Sequence, residues 1–230
     1  MITQCSSRAA SRGRETPEGG TLGAGLAAFG EATGLRVTGG RLGGRRIRVP
    51  AAGGVRPTAD RVREALFARL PDLEGAHVLD LYAGSGALGI EALSRGAASA
   101  VFVERSAPVR AVLRANLASL GLDDVAEVAG GDVAAALRRL ARDGRRFELV
   151  LLDPPYQEAQ EAPRALRALA TSGILAAGAL VVAETSRRAA LPPIEGLEPL
   201  DERRYGDTVI HRLTPGARAG PAFTGGAGGS

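Results

Sequence analysis

Asp153-Pro154-Pro155-Tyr156 carries residue types suited to holding an amino group. It follows an apolar run, Phe147 to Leu152, that reads as a strand. The Asp153 carboxylate can accept one N–H of an amine, and the Pro154 carbonyl can accept the other. Each proline keeps φ near about −65°, so that carbonyl is held in place. An amine on an aromatic base is a poor nucleophile, because its lone pair is delocalised into the ring. Two fixed acceptors localise and aim the lone pair. In-line transfer of a methyl group then depends on position and electrostatics. Tyr156 offers a face on which the base can stack. A base inside a paired region would first have to be flipped out. The bland reading is that the prolines only end a strand and start a helix.

A second constellation lies upstream. Gly84, Gly86 and Gly89 have the spacing G-x-G-x-x-G after the run His77 to Tyr82. Such glycines let the backbone turn tightly and approach a ligand. Glu104 stands twenty residues after Gly84, at the end of the next apolar run, where a carboxylate can accept from both ribose hydroxyls. Both features also suit a nicotinamide dinucleotide. Two residues favour S-adenosylmethionine. Asp80 at the end of the first strand would repel a pyrophosphate but attract a cationic methionine end. Asp132 follows the third strand, where it could reach an adenine amino group or cap the next helix.

These residues need a scaffold that brings strand ends together. From His77 on, continuous apolar runs alternate with amphipathic ones: HVLDLY, AVFVE, VAEVA, FELVLLD and ALVVAE as strands, separated by helices. That pattern predicts a parallel sheet covered on both faces, in the α/β class. LEPLDERRYGDTVIHRL reads as two more strands joined by a turn at Tyr205-Gly206-Asp207. An antiparallel hairpin closing a parallel sheet suits methyltransferases better than dehydrogenases. LRVTGGRLGGRRIRVP reads as a β-hairpin rich in arginine. A helix follows, with Thr58 as its expected cap and Val62, Leu66 and Leu70 as its apolar stripe.

The 230 residues suit one domain, and 45% are hydrophobic. The expected division is a disordered leader over 1–33, a folded domain over 34–213 and a disordered Gly-rich tail over 214–230. The domain divides into an N-terminal hairpin and helix over 34–71 and a catalytic core over 72–213. The net charge is +4 and the sequence pI about 10.1. Residues 1–70 hold 12 arginines against 5 acids, and the rest 17 against 20, so the basic excess is N-terminal. Cys5 is the only cysteine, which excludes an internal disulfide and suggests a reducing, cytoplasmic setting. No run approaches the ~18 apolar residues of a membrane span. Leu22 to Phe29 is too short and too glycine-rich for a signal peptide.

LRVTGGRLGGRRIRVP, RPTADRVREALF, LDLYAGSGALGIEALSRGA, LLDPPY and the Tyr205-Gly206-Asp207 hairpin together resemble the RsmD family. Its members methylate the N2 amine of guanine 966 in 16S rRNA of the small ribosomal subunit. The resemblance implies a class I, Rossmann-like methyltransferase fold, with a mostly parallel seven-stranded sheet and an antiparallel last strand, preceded by a β-hairpin and helix. It implies S-adenosylmethionine as methyl donor, S-adenosylhomocysteine as product and no metal. Asp80, Ala83, Gly84, Ser85, Gly86, Glu104, Asp132 and Val133 would line the donor site. Thr58 and Arg61 would join from the overlying helix, although Arg61 could equally be a surface arginine. Arg36, Arg41, Arg45, Arg46 and Arg48 would contact rRNA phosphates, or form a merely solvated surface. The partner would be 16S rRNA in the small subunit or an assembly intermediate, met by a monomer. Competing readings are a DNA adenine-N6 or protein glutamine-N5 methyltransferase with the same tetrapeptide, a non-enzymatic RNA-binding subunit, and a nicotinamide-dependent oxidoreductase.

Overall fold

The computed structural model describes residues 34–50, 57–155 and 160–216, with residues 57–59 described by backbone alone. The apolar runs pair as expected. Seven strands form one sheet: β3 (His77–Leu81), β4 (Ser99–Glu104), β5 (Ala126–Gly130), β6 (Phe147–Leu152), β7 (Leu175–Ser186), β8 (Leu197–Tyr205) and β9 (Thr208–Pro215). Their spatial order is β5-β4-β3-β6-β7-β9-β8. Strands β3 to β7 pair in parallel, and β9 is antiparallel to both β7 and β8. Only the last strand therefore runs against the rest.

Side chains alternate across the sheet with period two. Val78, Phe102, Leu149, Leu151 and Val182 point to one core, beneath α1 (Pro57–Phe67), α2 (Ala87–Ser94) and α3 (Ala107–Leu120). Leu79, Leu81, Val101, Val150 and Val181 point to the other, beneath α4 (Val133–Arg142) and α5 (Glu161–Ser172). Burial on both faces explains why the strands are apolar throughout. Fully buried Phe102, Leu79 and Leu113 each contribute about 1.5–3 kcal/mol by leaving water.

The N-terminal hairpin is slighter than its sequence suggests. Its strands are only β1 (Leu35–Arg36) and β2 (Arg46–Ile47), with a 3-10 turn over Gly40–Leu42 between them. Glycines replace strand residues here because the turn lies against α2: Gly40 has φ +71, and a Cβ on it would collide with the Ser94 carbonyl.

Two boundaries differ from expectation. Thr58 is not the cap of α1, because the helix already begins at Pro57. Proline suits the first helical position, where its φ is preset and no N–H is needed. The folded part also passes Leu213: Thr214 and Pro215 pair with Glu198 and Leu197, and the Thr214 hydroxyl donates to the Ala179 carbonyl at 3.2 Å. The leader 1–33 and most of the Gly-rich tail lie outside the described residues.

The hairpin and α1 are fastened to the core by Glu91 of α2, which is fully buried. Its Oε2 accepts from the Thr38 backbone N–H at 2.8 Å and its Oε1 from the Thr38 hydroxyl at 2.7 Å. Arg95 Nε donates to Oε1 at 2.9 Å, and Arg63 Nε of α1 lies 3.4 Å from Oε2. Further along, Arg212 and Arg69 both bind Asp201, at 2.7 and 2.8 Å, tying the end of α1 to the closing hairpin. The hydrogen bond from Arg212 holds the Asp201 carboxyl below the usual carboxylate range.

Removing one member of a buried charge cluster leaves its partners uncompensated. Glu91→Ala should lower unfolding stability by about 3–5 kcal/mol in urea titrations. A loss under about 1 kcal/mol would mean that Glu91 does not fasten the N-terminal layer.

Candidate functional site

The carboxyl ends of β3, β4, β5 and β6 open into one cavity of about 1050 Å³. Such ends are where open α/β sheets bind ligands. Each strand delivers its residue through a short turn. The chain leaves β3 through Tyr82, whose φ is +62, and then through Gly84 at φ +55. Gly84 and Ser85 line the cavity. Gly86 and Gly89 do not. They let α2 pack close, since a Cβ on Gly86 would strike Leu113 and one on Gly89 would strike Phe102.

Glu104 ends β4 and lines the cavity. Its Oε2 accepts the Gly84 N–H at 3.1 Å and its Oε1 the Ser106 N–H at 2.7 Å. A carboxylate has about four acceptor sites, so two remain for ribose hydroxyls. The backbone bonds fix its orientation. Asp132 follows β5 and does cap α4: Oδ1 accepts from Ala134 N–H at 2.8 Å and Ala135 N–H at 3.3 Å. It also borders the cavity, with Gly131 and Val133. The cap and the ligand readings therefore coexist.

Asp153, Pro154 and Pro155 line the same cavity from β6. The Asp153 N–H points to the Leu81 carbonyl at 3.5 Å, which sets Asp153 beside the end of β3 from which the glycine loop departs. Pro154 is buried and Asp153 exposed. Tyr156 lies outside the described residues, and nothing is assigned to it.

Several expected site residues are not brought to the cavity. Asp80 is buried in the sheet beneath α2, and its Oδ2 accepts the Gly89 N–H at 2.9 Å. It faces inward because it shares a register position with Phe102 and Leu151. Ala83 is buried, its N–H given to the Val103 carbonyl at 3.0 Å. Arg61 is exposed and points away, while Val62, Arg63 and Leu66 of the same helix line the cavity. The side chain of Thr58 is outside the description. Arg36, Arg41, Arg45, Arg46 and Arg48 are all exposed on the hairpin, and their neighbours Leu35, Val49 and Pro50 form a cavity wall.

Other lining residues were not anticipated. The Tyr82 hydroxyl donates to Glu161 Oε2 at 2.9 Å, and burial with that carboxylate pushes the phenol above its ordinary pKa. Glu184 and the turn Tyr205-Gly206-Asp207 complete the far side. Among the described residues the cavity is lined by six carboxylates (Glu104, Asp132, Asp153, Glu161, Glu184 and Asp207) against two arginines, Arg63 and Arg105. That balance favours a cationic sulfonium and disfavours a pyrophosphate. The volume exceeds the usual ~300–1,000 Å³ of a small-ligand pocket, leaving room for a base beside a nucleoside. The residues present thus fit S-adenosylmethionine. Among the described residues no acidic, histidine or cysteine cluster could hold a metal ion, and no helix is long and apolar enough to cross a membrane.

The family described as Conserved hypothetical protein 95 matches residues 35–214. Ribosomal RNA small subunit methyltransferase D of Escherichia coli K12 is 37% identical over 180 residues, covering 78% of this chain and 88% of that one. The chain belongs to this family, the RsmD family. A solved Escherichia coli structure described as a candidate methyltransferase, yhhF, aligns with TM-score 0.69 at 32% identity over 79% of the RsmD-family chain and 98% of its own. A Streptococcus mutans structure described as a candidate S-adenosylmethionine-dependent methyltransferase aligns with TM-score 0.58 at 18% identity, over 74% and 52% of the two chains, and shows the fold alone. The class I methyltransferase fold expected from the sequence is the one observed.

Burial raises the Asp80 pKa from 3.8 to about 7, against the opposing Gly89 hydrogen bond and with a smaller push from Glu104. Between about pH 4 and 7 the folded chain then keeps a proton that the unfolded chain has lost. Stability from this group is full below pH 4 and is lost as pH rises through 7. Asp80→Asn removes that dependence. The variant should gain on the parent by roughly 2 kcal/mol between pH 5 and pH 7 in urea unfolding. A stability difference independent of pH would refute the raised pKa.

Proposed function

We propose that this RsmD-family chain transfers the methyl group of S-adenosylmethionine to the exocyclic N2 amine of a guanine in 16S rRNA of the small ribosomal subunit. The observation that carries this reading is a shared cavity. Asp153-Pro154-Pro155 and the donor-side residues Gly84, Ser85, Glu104 and Asp132 line one space. The names of the relatives supply the substrate class.

The bound donor supplies an electrophilic methyl group on a cationic sulfur. Glu104 holds the ribose through its two remaining acceptor sites. Asp132 and Val133 border the adenine. The Asp153 carboxylate and the Pro154 carbonyl accept the two N–H groups of the guanine amine and direct its lone pair at the sulfur-bound carbon. Charge builds on the amine as the bond forms, and the anionic Asp153 stabilises it. Asp153 is exposed, so the proton lost from nitrogen has a route to water. Arg36, Arg41, Arg45, Arg46 and Arg48 stand outside the cavity and contact phosphates, which positions the RNA without reading its bases.

Asp153→Ala should lower methyl transfer at least about 100-fold, with the Kd for S-adenosylhomocysteine within about threefold of the parent. Tritiated donor with 30S particles, duplex DNA or release factor measures this and separates the three substrate classes. Equal loss of transfer and donor binding would contradict the role given to Asp153. Labelling of DNA or release factor alone would replace the rRNA assignment.

Replacing Arg41, Arg45 and Arg46 together with glutamine should weaken particle binding and flatten its salt dependence. Each lost phosphate contact reduces the slope of log K against log salt by about 0.7–0.9. An unchanged slope would exclude the hairpin as the RNA-contacting surface.

A further inference from the structure

Arg63 is an unusual residue to find at the wall of a ligand cavity. It is only 4% exposed, yet it lines the cavity from α1. Part of its guanidinium is committed to protein. Nε faces Glu91 Oε2 at 3.4 Å, and Nη2 donates to Asp60 Oδ1 at 3.0 Å and to the Arg36 carbonyl. Among the described residues nothing accepts from Nη1. Arg63 lines the cavity, so Nη1 is the guanidinium nitrogen left to face it. A guanidinium is planar, and tying Nε and Nη2 fixes the direction of the remaining donor pair.

The surroundings define what those donors meet. Among the described residues six carboxylates line the cavity, and a carboxylate-bearing ligand would be repelled unless a cation faced it directly. The other lining arginine, Arg105, follows Glu104 and is exposed, so it belongs to the ribose side. Arg63 stands elsewhere. It touches Glu91, one turn along α2 from Ala87 and Leu88, which line the cavity just past Ser85. With the nucleoside over β4 and β5, where Glu104 and Asp132 stand, the amino-acid end of the donor falls over β3 and the start of α2.

We propose that Arg63, aimed by Glu91, is the anchor for the carboxylate of the methyl donor's amino-acid end. This rests on the reading of the cavity as an S-adenosylmethionine site. A charge-assisted bond from a desolvated guanidinium is among the stronger single contacts such a ligand can make. The donor and its product S-adenosylhomocysteine both carry this carboxylate, so Arg63 binds both. Asp60 and Glu91 flank the guanidinium and stop it from swinging to the many acids nearby.

Calorimetry with two ligands that differ only by the carboxylate provides the test: S-adenosylhomocysteine and S-adenosyl-3-thiopropylamine. The parent protein should prefer the first by about tenfold to a hundredfold. Arg63→Gln should cut that preference to within about threefold and leave the affinity for the amine unchanged. Equal affinity of the parent for both ligands overturns the proposal and leaves the methyltransferase reading standing. Failure of the parent to bind either ligand sinks that reading and the anchor with it. An undiminished preference in Arg63→Gln also overturns the anchor. If Arg63→Gln binds neither ligand, Arg63→Lys decides: an ammonium that Glu91 and Asp60 cannot hold in one direction should keep only a few-fold preference, and a full parental ratio overturns the aimed anchor.

Discussion

A single carboxylate sealed from water, Glu91, holds the N-terminal layer against the sheet. A buried anion is costly unless it is both paired and fully hydrogen-bonded. Here two arginines and two Thr38 donors supply that compensation. The partners come from three separate places: β1's loop, α1 and α2 itself. None of the first two could stand alone. Two-residue strands make a hairpin too small to be stable in water, and α1 has only eleven residues. Their order is therefore borrowed from α2. The cavity wall made by Leu35, Val62, Arg63 and Leu66 inherits its position from the same carboxylate.

Asn116 makes a second, independent link. It is fully buried on α3. Its Oδ1 accepts the Arg48 N–H at 2.9 Å, and its Nδ2 donates to the carbonyls of Arg48 and Ser85, each at 2.9 Å. One side chain thus joins the backbone of the arginine hairpin to the backbone of the glycine loop. The surface assigned to phosphates and the loop assigned to the donor are held in one rigid relation. For a reaction governed by in-line geometry, that relation matters more than either affinity alone.

Much of this was legible in the sequence, because periodicity reports burial. Strands covered on both faces are apolar throughout, and FELVLL or VLDL can hardly be read otherwise. The places of Gly84, Glu104 and Asp153 at the cavity were legible because their spacing relative to strand ends is imposed by the fold. Asp80 was misjudged for a physical reason. A carboxylate at a strand end points into the core or out of it according to register, and register is a property of the paired strands. Arg63 and Glu91 were missed because a buried ion pair between distant elements has no local pattern. Arg61, two residues from Arg63, sits on the opposite side of α1, and helical phase alone could not say which arginine faces the cavity. The closing turn at Tyr205 was recognised as a turn but not as a wall, since its nearness to the strand ends follows from β9 entering the sheet between β7 and β8.

The two charge populations of the chain have opposite tasks under the proposed reading. The hairpin arginines lie on the outer surface and attract an anionic polymer over roughly a Debye length. The cavity beneath them is lined by carboxylates and repels the same polymer at short range. A phosphate that strayed inward would meet Asp153, Glu184 or Asp207. A neutral base would not be repelled. The arrangement therefore admits what is to be methylated and holds its backbone outside. Asp80 is not on the cavity wall, and burial beneath α2 favours its neutral form, so it adds little to that repulsion. The field in the cavity comes largely from the acids on its walls, and under the proposed reading Arg63 is a local exception that lets one small carboxylate in.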